Sequence, residues 1–375
     1  MKMPQKKIKI VYLLPTLDKG GAERMVVDLI LNLDRSIFEP TLILFKRGGG
    51  WLTELATENI PVVILEKRKK IDLSNLFSLL RAIRKIQPQI VHTHLGGDYY
   101  SCAISRLTDV PVILSTEHNV NSDESFWRNI LKRINNRAAD EIVAISDAVK
   151  NDIVSRYHLA AQKISVIKNG VDTAKFLKAA KIRKNESGPE SNHKVIFGTM
   201  GRLSPQKGHL VLIEAWKTVK PGIDCLIAGT GPLEKDLEEK IKKDGLKDRI
   251  KLIGPISDPA AFLNSLDAFV FPSIWEGLGL VLLEAGLVGL PIITSKIDGT
   301  VEIVDGETGW LVPAGNAVAL AAKINWLADN LNEASVISKT EKLRKKIISN
   351  FSITDAAIRY QALYRDLLKR KNLSL

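Results

Sequence analysis

Short runs rich in Val, Ile and Leu alternate along this chain with longer stretches of helical periodicity, and few folds accept that alternation. It is the pattern of βα units, whose strands lie parallel in one sheet covered by helices. In the first half the strand candidates are Ile8 to Pro15, Thr41 to Phe45, Pro61 to Leu65, Gln89 to His94, Val110 to Ser115, Glu141 to Ser146 and Lys163 to Ile167. Helical patterns fall between them at Ala22 to Leu33, Leu73 to Ile86, Ser125 to Asn136 and Asp147 to Tyr157. From Thr173 to His193 the apolar periodicity fails and Lys, Ser, Gly, Asn and Pro take over, which reads as an interdomain linker. The strand pattern then restarts at Lys194 to Met200 and continues through Asp224 to Ala228, Ile250 to Ile253, Asp267 to Phe271, Pro291 to Thr294 and Gly309 to Val312. The expectation is an α/β chain of two doubly wound domains, 1–180 and 194–352, with 173–193 between them. A length of 375 residues is ample for two cores. Three amphipathic stretches close the sequence: Asn316 to Leu331, Ala334 to Ile348 and Ile353 to Lys369.

Ligands of open parallel sheets gather beyond the carboxyl ends of the strands, so the residues there are informative. The densest such stretch is S-I-W-E-G-L-G-L-V-L-L-E-A, Ser273 to Ala285, which reads as strand, glycine loop and helix. Gly277 and Gly279 let the backbone approach a ligand, and the amides opening the following helix favour negative oxygens. The carboxylates of Glu276 and Glu284 find natural partners in hydroxyl groups, which donate to them. Sugar plus anion is the chemistry implied. Gly201-Arg202-Leu203-Ser204-Pro205-Gln206-Lys207-Gly208 places two cations around a glycine turn, suited to a diphosphate, and Gly229-Thr230-Gly231-Pro232 follows the next strand. In the first half, Gly20-Gly21-Ala22-Glu23-Arg24 is a paired-glycine helix entry, and His118 stands at a strand end. His92 and His94 share a strand face without a third ligand of definite spacing, so they read as core or cleft histidines rather than metal ligands.

Composition removes several classes. Two cysteines, Cys102 and Cys225, lie far apart without metal-ligand spacing, so neither a disulfide framework nor a structural zinc is implied. No segment reaches the roughly 18 to 20 uninterrupted apolar residues that span a bilayer, and the short Ile8 to Pro15 run reads as a first strand rather than a signal peptide. The net charge of +12 is uneven, because residues 1–180 hold 27 Lys and Arg against 19 Asp and Glu. Such an excess suits nucleic acid, an anionic membrane surface or an acidic substrate. No nucleic-acid-binding motif accompanies it.

The motifs G-R-L-S-P-Q-K-G, G-T-G-P, E-G-L-G-L-V-L-L-E, N-G-V-D at Asn169 to Asp172 and G-G-A-E-R near the N-terminus, in this order and separation, resemble the retaining glycosyltransferases of family four. The resemblance covers nearly the whole chain. It implies the GT-B architecture, two Rossmann-like domains across a cleft, with the acceptor on the N-terminal one and a nucleotide-sugar, UDP- or GDP-linked, on the C-terminal one. It also implies a final helix, about 353–375, packed back on the N-terminal domain. Arg202 and Lys207 would hold the donor diphosphate, Glu284 the ribose, and Glu276 the transferred hexosyl or N-acetylhexosaminyl group beside the Gly277, Leu278, Gly279 and Leu280 backbone. Gly231 would line the same site, Gly20 and Gly21 would approach the diphosphate, and His118 would assist transfer beside the donor sugar. No separate cofactor or metal is expected, since fixed cations and amides meet the leaving charge.

Two departures stand out: Asp298-Gly299-Thr300-Val301-Glu302 replaces a two-glycine G-G-x-x-E turn, and Asn119 follows His118 where an aspartate is commoner. A non-catalytic sugar-nucleotide binder or partner subunit and a nucleotide-sugar epimerase share the architecture and remain alternative readings. The family points to bacterial surface polysaccharide or glycolipid assembly, with a glycan or lipid-linked acceptor and a cytoplasmic setting. Lys67 to Lys70, Leu73 to Ile86 with Arg81, Arg84 and Lys85, and Phe126 to Arg133 mix cations with apolar side chains, a pattern suited to the inner face of the cell membrane.

Overall fold

The computed structural model describes residues 7–18, 20–67, 72–95, 100–120, 126–186 and 194–373. The chain forms two compact units, one of residues 1–170 with 353–375 and the other of 171–352.

The first unit runs β1 (Ile8–Thr16), α1 (Gly21–Leu31), β2 (Phe38–Arg47), α2 (Leu52–Thr57), β3 (Val62–Ile64), α3 (Leu73–Ile86), β4 (Ile90–His94), α4 (Ser101–Ser105), β5 (Val112–Glu117), α5 (Phe126–Ala138), β6 (Glu141–Ala144), α6 (Asp147–Tyr157) and β7 (Ile164–Val166). Its seven strands pair in the order β3-β2-β1-β4-β5-β6-β7. The central strand β1 is apolar on both faces, with Ile10 to Leu14 fully buried, as a parallel sheet covered on both sides demands. It pairs Leu13 with Ile43 on one side and with Thr93 on the other. Helices start where side chains accept backbone amides: Asp72 from Asn75 N at 3.3 Å and Ser146 from Val149 N at 3.1 Å.

The second unit runs α7 (Thr173–Glu186), β8 (Val195–Met200), α8 (His209–Trp216), β9 (Ile223–Ala228), α9 (Glu234–Lys243), β10 (Ile250–Gly254), α10 (Pro259–Asn264), β11 (Ala268–Phe271), α11 (Leu280–Val288), β12 (Ile292–Ser295), α12 (Asp298–Val301), β13 (Trp310–Val312), α13 (Ala317–Asp329) and α14 (Ala334–Asn350). Its parallel strands order as β10-β9-β8-β11-β12-β13 around a core that includes Phe197, Trp216, Ile227 and Val270. The closing helix α15 (Ile353–Arg370) belongs to the first unit, where it lies beside α1.

One boundary differs from the sequence reading. The stretch 173–193, read as a linker, opens with helix α7, capped by Asp172, whose carboxylate accepts from Lys175 N at 3.1 Å. Phe176 and Ala180, four residues apart, are buried in the second unit, where α7 packs on α10 and α11. Its lysines mask a narrow apolar stripe that periodicity alone ranked as loop. Residues 187–193 lie outside the described residues.

Candidate active site

Strand order reverses at β8 and β11 in the second unit, the topological switch point of such a sheet, and the glycine loops follow these two strands. They are joined to each other. Ile274 N donates to Gln206 O at 2.8 Å, Gln206 Nε2 donates to Trp275 O at 3.0 Å, and Lys207 Nζ donates to Glu276 Oε1 at 2.5 Å. Gly208 makes the seam possible: its φ is +65°, and a Cβ there would lie 2.0 Å from Pro272 O. The β9 loop is stitched on from the other side by Leu203 N to Thr230 O at 2.9 Å and Leu233 N to Leu203 O at 3.0 Å, with Gly231 pressed against Leu203.

Glu276 is 5 % exposed, and Lys207, whose ammonium also lies 5.2 Å from the Phe271 ring centroid, is its ion-pair partner. The sequence reading gave these two residues independent duties, one toward phosphate and one toward hydroxyls. In the fold they neutralise each other, because the seam brings a strand-end lysine and a loop glutamate into one half-buried space. Arg202 shares the loop and is exposed. Gly279 is the N-cap of α11, whose first turn carries no acid, and the opening amides of a helix have no acceptor within it. Leu278 is buried behind Gly277, and Glu284 is half-buried one turn into α11 from Leu280. The departure at Asp298 leaves the needed glycine in place: a Cβ on Gly299 would lie 2.2 Å from Glu276 O, so Gly299 lets α12 buttress the Glu276 loop.

Two neighbours escaped the sequence reading. Ser273 and His209 are buried, and Ser273 Oγ and His209 Nδ1 have no hydrogen-bond partner among the described residues. Burial, and then the Lys207 charge, push the His209 imidazole down to about 4, so it is neutral. The available signal was position alone, Ser273 directly after F-V-F-P and His209 directly after Gly208.

In the first unit Gly20 caps α1 with extended backbone, and its N–H donates to Asp18 O at 2.8 Å. Arg24 does not stay free for an anion: it pairs with Asp28 and, at 2.6 Å, with Glu54, and its guanidinium lies 4.8 Å from the Trp51 ring centroid. His118 is buried at the end of β5, with Nε2 3.0 Å from His94 Nδ1 and Nδ1 without a partner among the described residues. Burial pushes His118 down to about 4, and it holds His92 and His94 well below the usual imidazole range. His92 is a core histidine. Its Nδ1 meets Tyr364 Oη and its Nε2 meets Thr116 Oγ1, each at 2.7 Å. Tyr12 Oη lies 3.0 Å from Tyr364 Oη and Tyr360 Oη 3.3 Å from Thr116 Oγ1, so α15 is bolted to β1, β4 and β5. Among the described residues no group of three or more His, Cys, Asp or Glu is placed to hold a metal ion.

Lys132 corrects the surface reading of α5. It is 7 % exposed and faces Glu117 at 3.7 Å, while Asn136 Nδ2 donates to Glu117 Oε1 at 3.1 Å, so this cation fastens the helix to the core. Lys69 and Lys70, grouped with it in sequence, fall outside the described residues. No described helix is long and apolar enough to cross a membrane.

Comparison with known proteins gives the family and the fold. Residues 180–348 match the family "Glycosyl transferases group 1" and residues 19–175 match "Glycosyltransferase Family 4". The chain is 30 % identical to the Escherichia coli UDP-Gal:α-D-GlcNAc-diphosphoundecaprenol α-1,3-galactosyltransferase, covering 99 % of this chain and 100 % of that protein. It is 27 % identical to the Staphylococcus aureus capsular polysaccharide biosynthesis glycosyltransferase CapM, covering 80 % of this chain and 82 % of CapM. The crystal structure of the Anabaena protein HepE with UDP and glucose superposes with a TM-score of 0.82 at 20 % identity, over 96 % of this chain and all of that one. The two-sheet fold is therefore the GT-B fold, and the chain belongs to glycosyltransferase family 4.

Proposed function

We propose that this protein transfers a hexosyl or N-acetylhexosaminyl group, with retention at the anomeric carbon, from a UDP- or GDP-sugar to a glycan or lipid-linked acceptor of a bacterial surface polysaccharide or glycolipid. The observation that carries the reading is the Lys207–Glu276 pair, held on a hydrogen-bonded seam between two strand-end loops beside the N-terminus of α11. A cation, helix amides and a carboxylate in one place suit a molecule with a diphosphate at one end and hydroxyls at the other. Lys207 and the exposed Arg202 take the diphosphate charge as it grows on the leaving nucleotide, which is electrostatic catalysis by groups already in position. Glu276 exchanges its lysine for sugar hydroxyls, and Glu284 accepts from the ribose. Ser273 Oγ and His209 Nδ1, both buried without partners among the described residues, supply further polar contacts to the donor. In the first unit the Gly20-Gly21 helix entry suits an anionic group, and His118, neutral with Nδ1 unpartnered among the described residues, suits a sugar hydroxyl. A relative whose acceptor is a diphosphoundecaprenol-linked sugar supports a lipid-linked acceptor and work at the inner face of the cell membrane.

Incubation with a panel of UDP- and GDP-sugars and a polyprenyl-diphosphate-linked sugar acceptor tests this. Released nucleoside diphosphate, with product of unchanged anomeric configuration by NMR and rate undiminished in EDTA, is the expected result. An epimerised donor with no release would replace the proposal by the epimerase reading. Nucleotide-sugar binding without either reaction would leave a non-catalytic binder.

A further inference from the structure

His92 and His94 lie two residues apart in β4 and so share one face of the first sheet, yet they are used differently. His92 has both ring nitrogens taken by core hydroxyls, Nδ1 by Tyr364 and Nε2 by Thr116. His94, the last residue of β4, has one side-chain hydrogen bond among the described residues, linking its Nδ1 to His118 Nε2 at 3.0 Å, and its own Nε2 is buried without a partner there. Strand register explains the meeting: His94 pairs with Thr116 across β4 and β5, and the chain presents His118 two residues further on. The His94 ring is itself held. It is fully buried, its centroid lies 4.0 Å from that of His92, and it stacks on Tyr12 at 6.0 Å and 25°. Tyr12 and His92 are partners in register, and both are tied to Tyr364. A leucine could fill the place of His94 without burying a nitrogen that lacks a partner, so packing alone does not account for an imidazole there. What His94 adds is a hydrogen bond to His118. Both rings are neutral, since burial pushes His118 down to about 4 and His94 well below the usual imidazole range. A neutral imidazole carries one N–H, and the hydrogen bond made at one nitrogen decides whether the other donates or accepts.

We propose that His94 is a positioning residue for His118: its hydrogen bond sets the plane of the His118 ring and locks that ring in one tautomer, so that His118 Nδ1 meets the donor sugar in a single, constant role. The proposal rests on the reading of His118 as the partner of a sugar hydroxyl and deepens it. Without the bond His118 would divide its time between two tautomers and several ring orientations, and only a fraction of the molecules would be competent at any moment. His92, with both nitrogens already engaged by Tyr364 and Thr116, has no such duty and serves as the wall against which His94 is set.

Two substitutions separate this role from packing. In His94→Asn the side-chain amide stands where Nδ1 stood and can still donate to or accept from His118 Nε2, whereas His94→Leu fills the space and makes no hydrogen bond. His94→Leu is expected to lower kcat roughly five- to tenfold, the worth of one hydrogen bond, with nucleoside diphosphate affinity unchanged, and His94→Asn to restore most of the rate. On a His118→Gln background, His94→Leu should cost nothing further, because its effect passes through His118. Imidazole 15N NMR, with the His118 signals identified by their loss in His118→Gln, reads the tautomer directly: two well-separated nitrogen shifts in the unaltered protein and in His94→Asn, drawn together in His94→Leu. Equal loss of rate in the Asn and Leu variants, additive losses with His118→Gln, or His118 shifts indifferent to His94→Leu would overturn the proposal. A His118→Gln protein that transfers at full rate, or absence of donor turnover in every protein, would strike the reading of His118 on which the proposal rests. The 15N spectra would in either case still show whether His94 locks the ring.

Discussion

The Lys207–Glu276 ion pair makes an unusual forecast: a variant that impairs transfer should bind nucleoside diphosphate more tightly. In the free protein Glu276 neutralises the cation proposed to meet the diphosphate. At 2.5 Å and an effective dielectric near 20, two unit charges attract by roughly 7 kcal/mol. Desolvation of both groups, and the 20 % exposure of the Lys207 side chain, cancel most of that. A residue of about 1 to 2 kcal/mol is what Glu276→Gln should return to the incoming anion, a five- to thirtyfold lower Kd for UDP or GDP. The amide keeps an oxygen that accepts from Lys207 Nζ, so the loop should hold its shape. It loses the charge that strengthens hydrogen bonds from sugar hydroxyls, worth about 1.5 to 3 kcal/mol, and kcat should fall roughly ten- to hundredfold. Isothermal titration of UDP and GDP, alongside transfer kinetics, measures both effects. A Kd unchanged or raised in a folded Glu276→Gln protein would refute the idea that Glu276 restrains Lys207.

Gly208→Ala puts a methyl 2.0 Å from Pro272 O at a positive φ, so it should cost about 1 to 3 kcal/mol in urea unfolding and weaken nucleoside diphosphate binding as the seam opens. Tyr364→Phe leaves His92 Nδ1 and Tyr12 Oη short of a buried partner and should cost about 1 to 3 kcal/mol by the same measurement. Lys207→Met should lose nucleoside diphosphate binding and also destabilise the second unit, because a carboxylate 5 % exposed is left unpaired. His118, at about 4 when folded against an ordinary value near 6.5, binds its proton more readily in the unfolded chain. Stability is therefore full above about pH 6.5 and declines as pH falls toward 4, and His118→Gln should flatten that part of a melting-temperature profile.

Strand positions were legible because a buried parallel strand announces itself by composition: every strand of both sheets among the described residues overlaps an apolar run read from the sequence. The glycine loops were legible too, since no other residue tolerates the Gly208 geometry. What stayed hidden depends on partners distant in sequence. Lys132 reads as one more cation of a basic helix until Glu117, fifteen positions earlier, is found beneath it. Lys207 and Glu276 are 69 residues apart, and nothing in either loop announces that they touch. Tyr360 and Tyr364 look like ordinary amphipathic spacing, yet their hydroxyls end on Thr116 and His92. Helix α7 was lost for the opposite reason, a lysine-rich surface outweighing two buried side chains.

The place of α15 bears on how the polypeptide is made. The chain leaves the first unit at Gly170 and re-enters it at Ile353, so the second unit is spliced into the first, with Val171 N donating to Phe351 O at 3.0 Å at its neck. On the ribosome, β1, β4 and β5 emerge long before the helix whose tyrosines cover Tyr12 and His92. At about 5 to 20 residues per second, roughly 10 to 40 s of synthesis separate β7 from α15. During that interval the second unit has every segment it needs to fold, while the first carries an open apolar flank on which the His92 imidazole and the Tyr12 and Thr116 hydroxyls await their tyrosine partners. Nascent chains stalled before Ile353 should thus show a protease-resistant second unit and a first unit that recruits chaperones, released when α15 arrives.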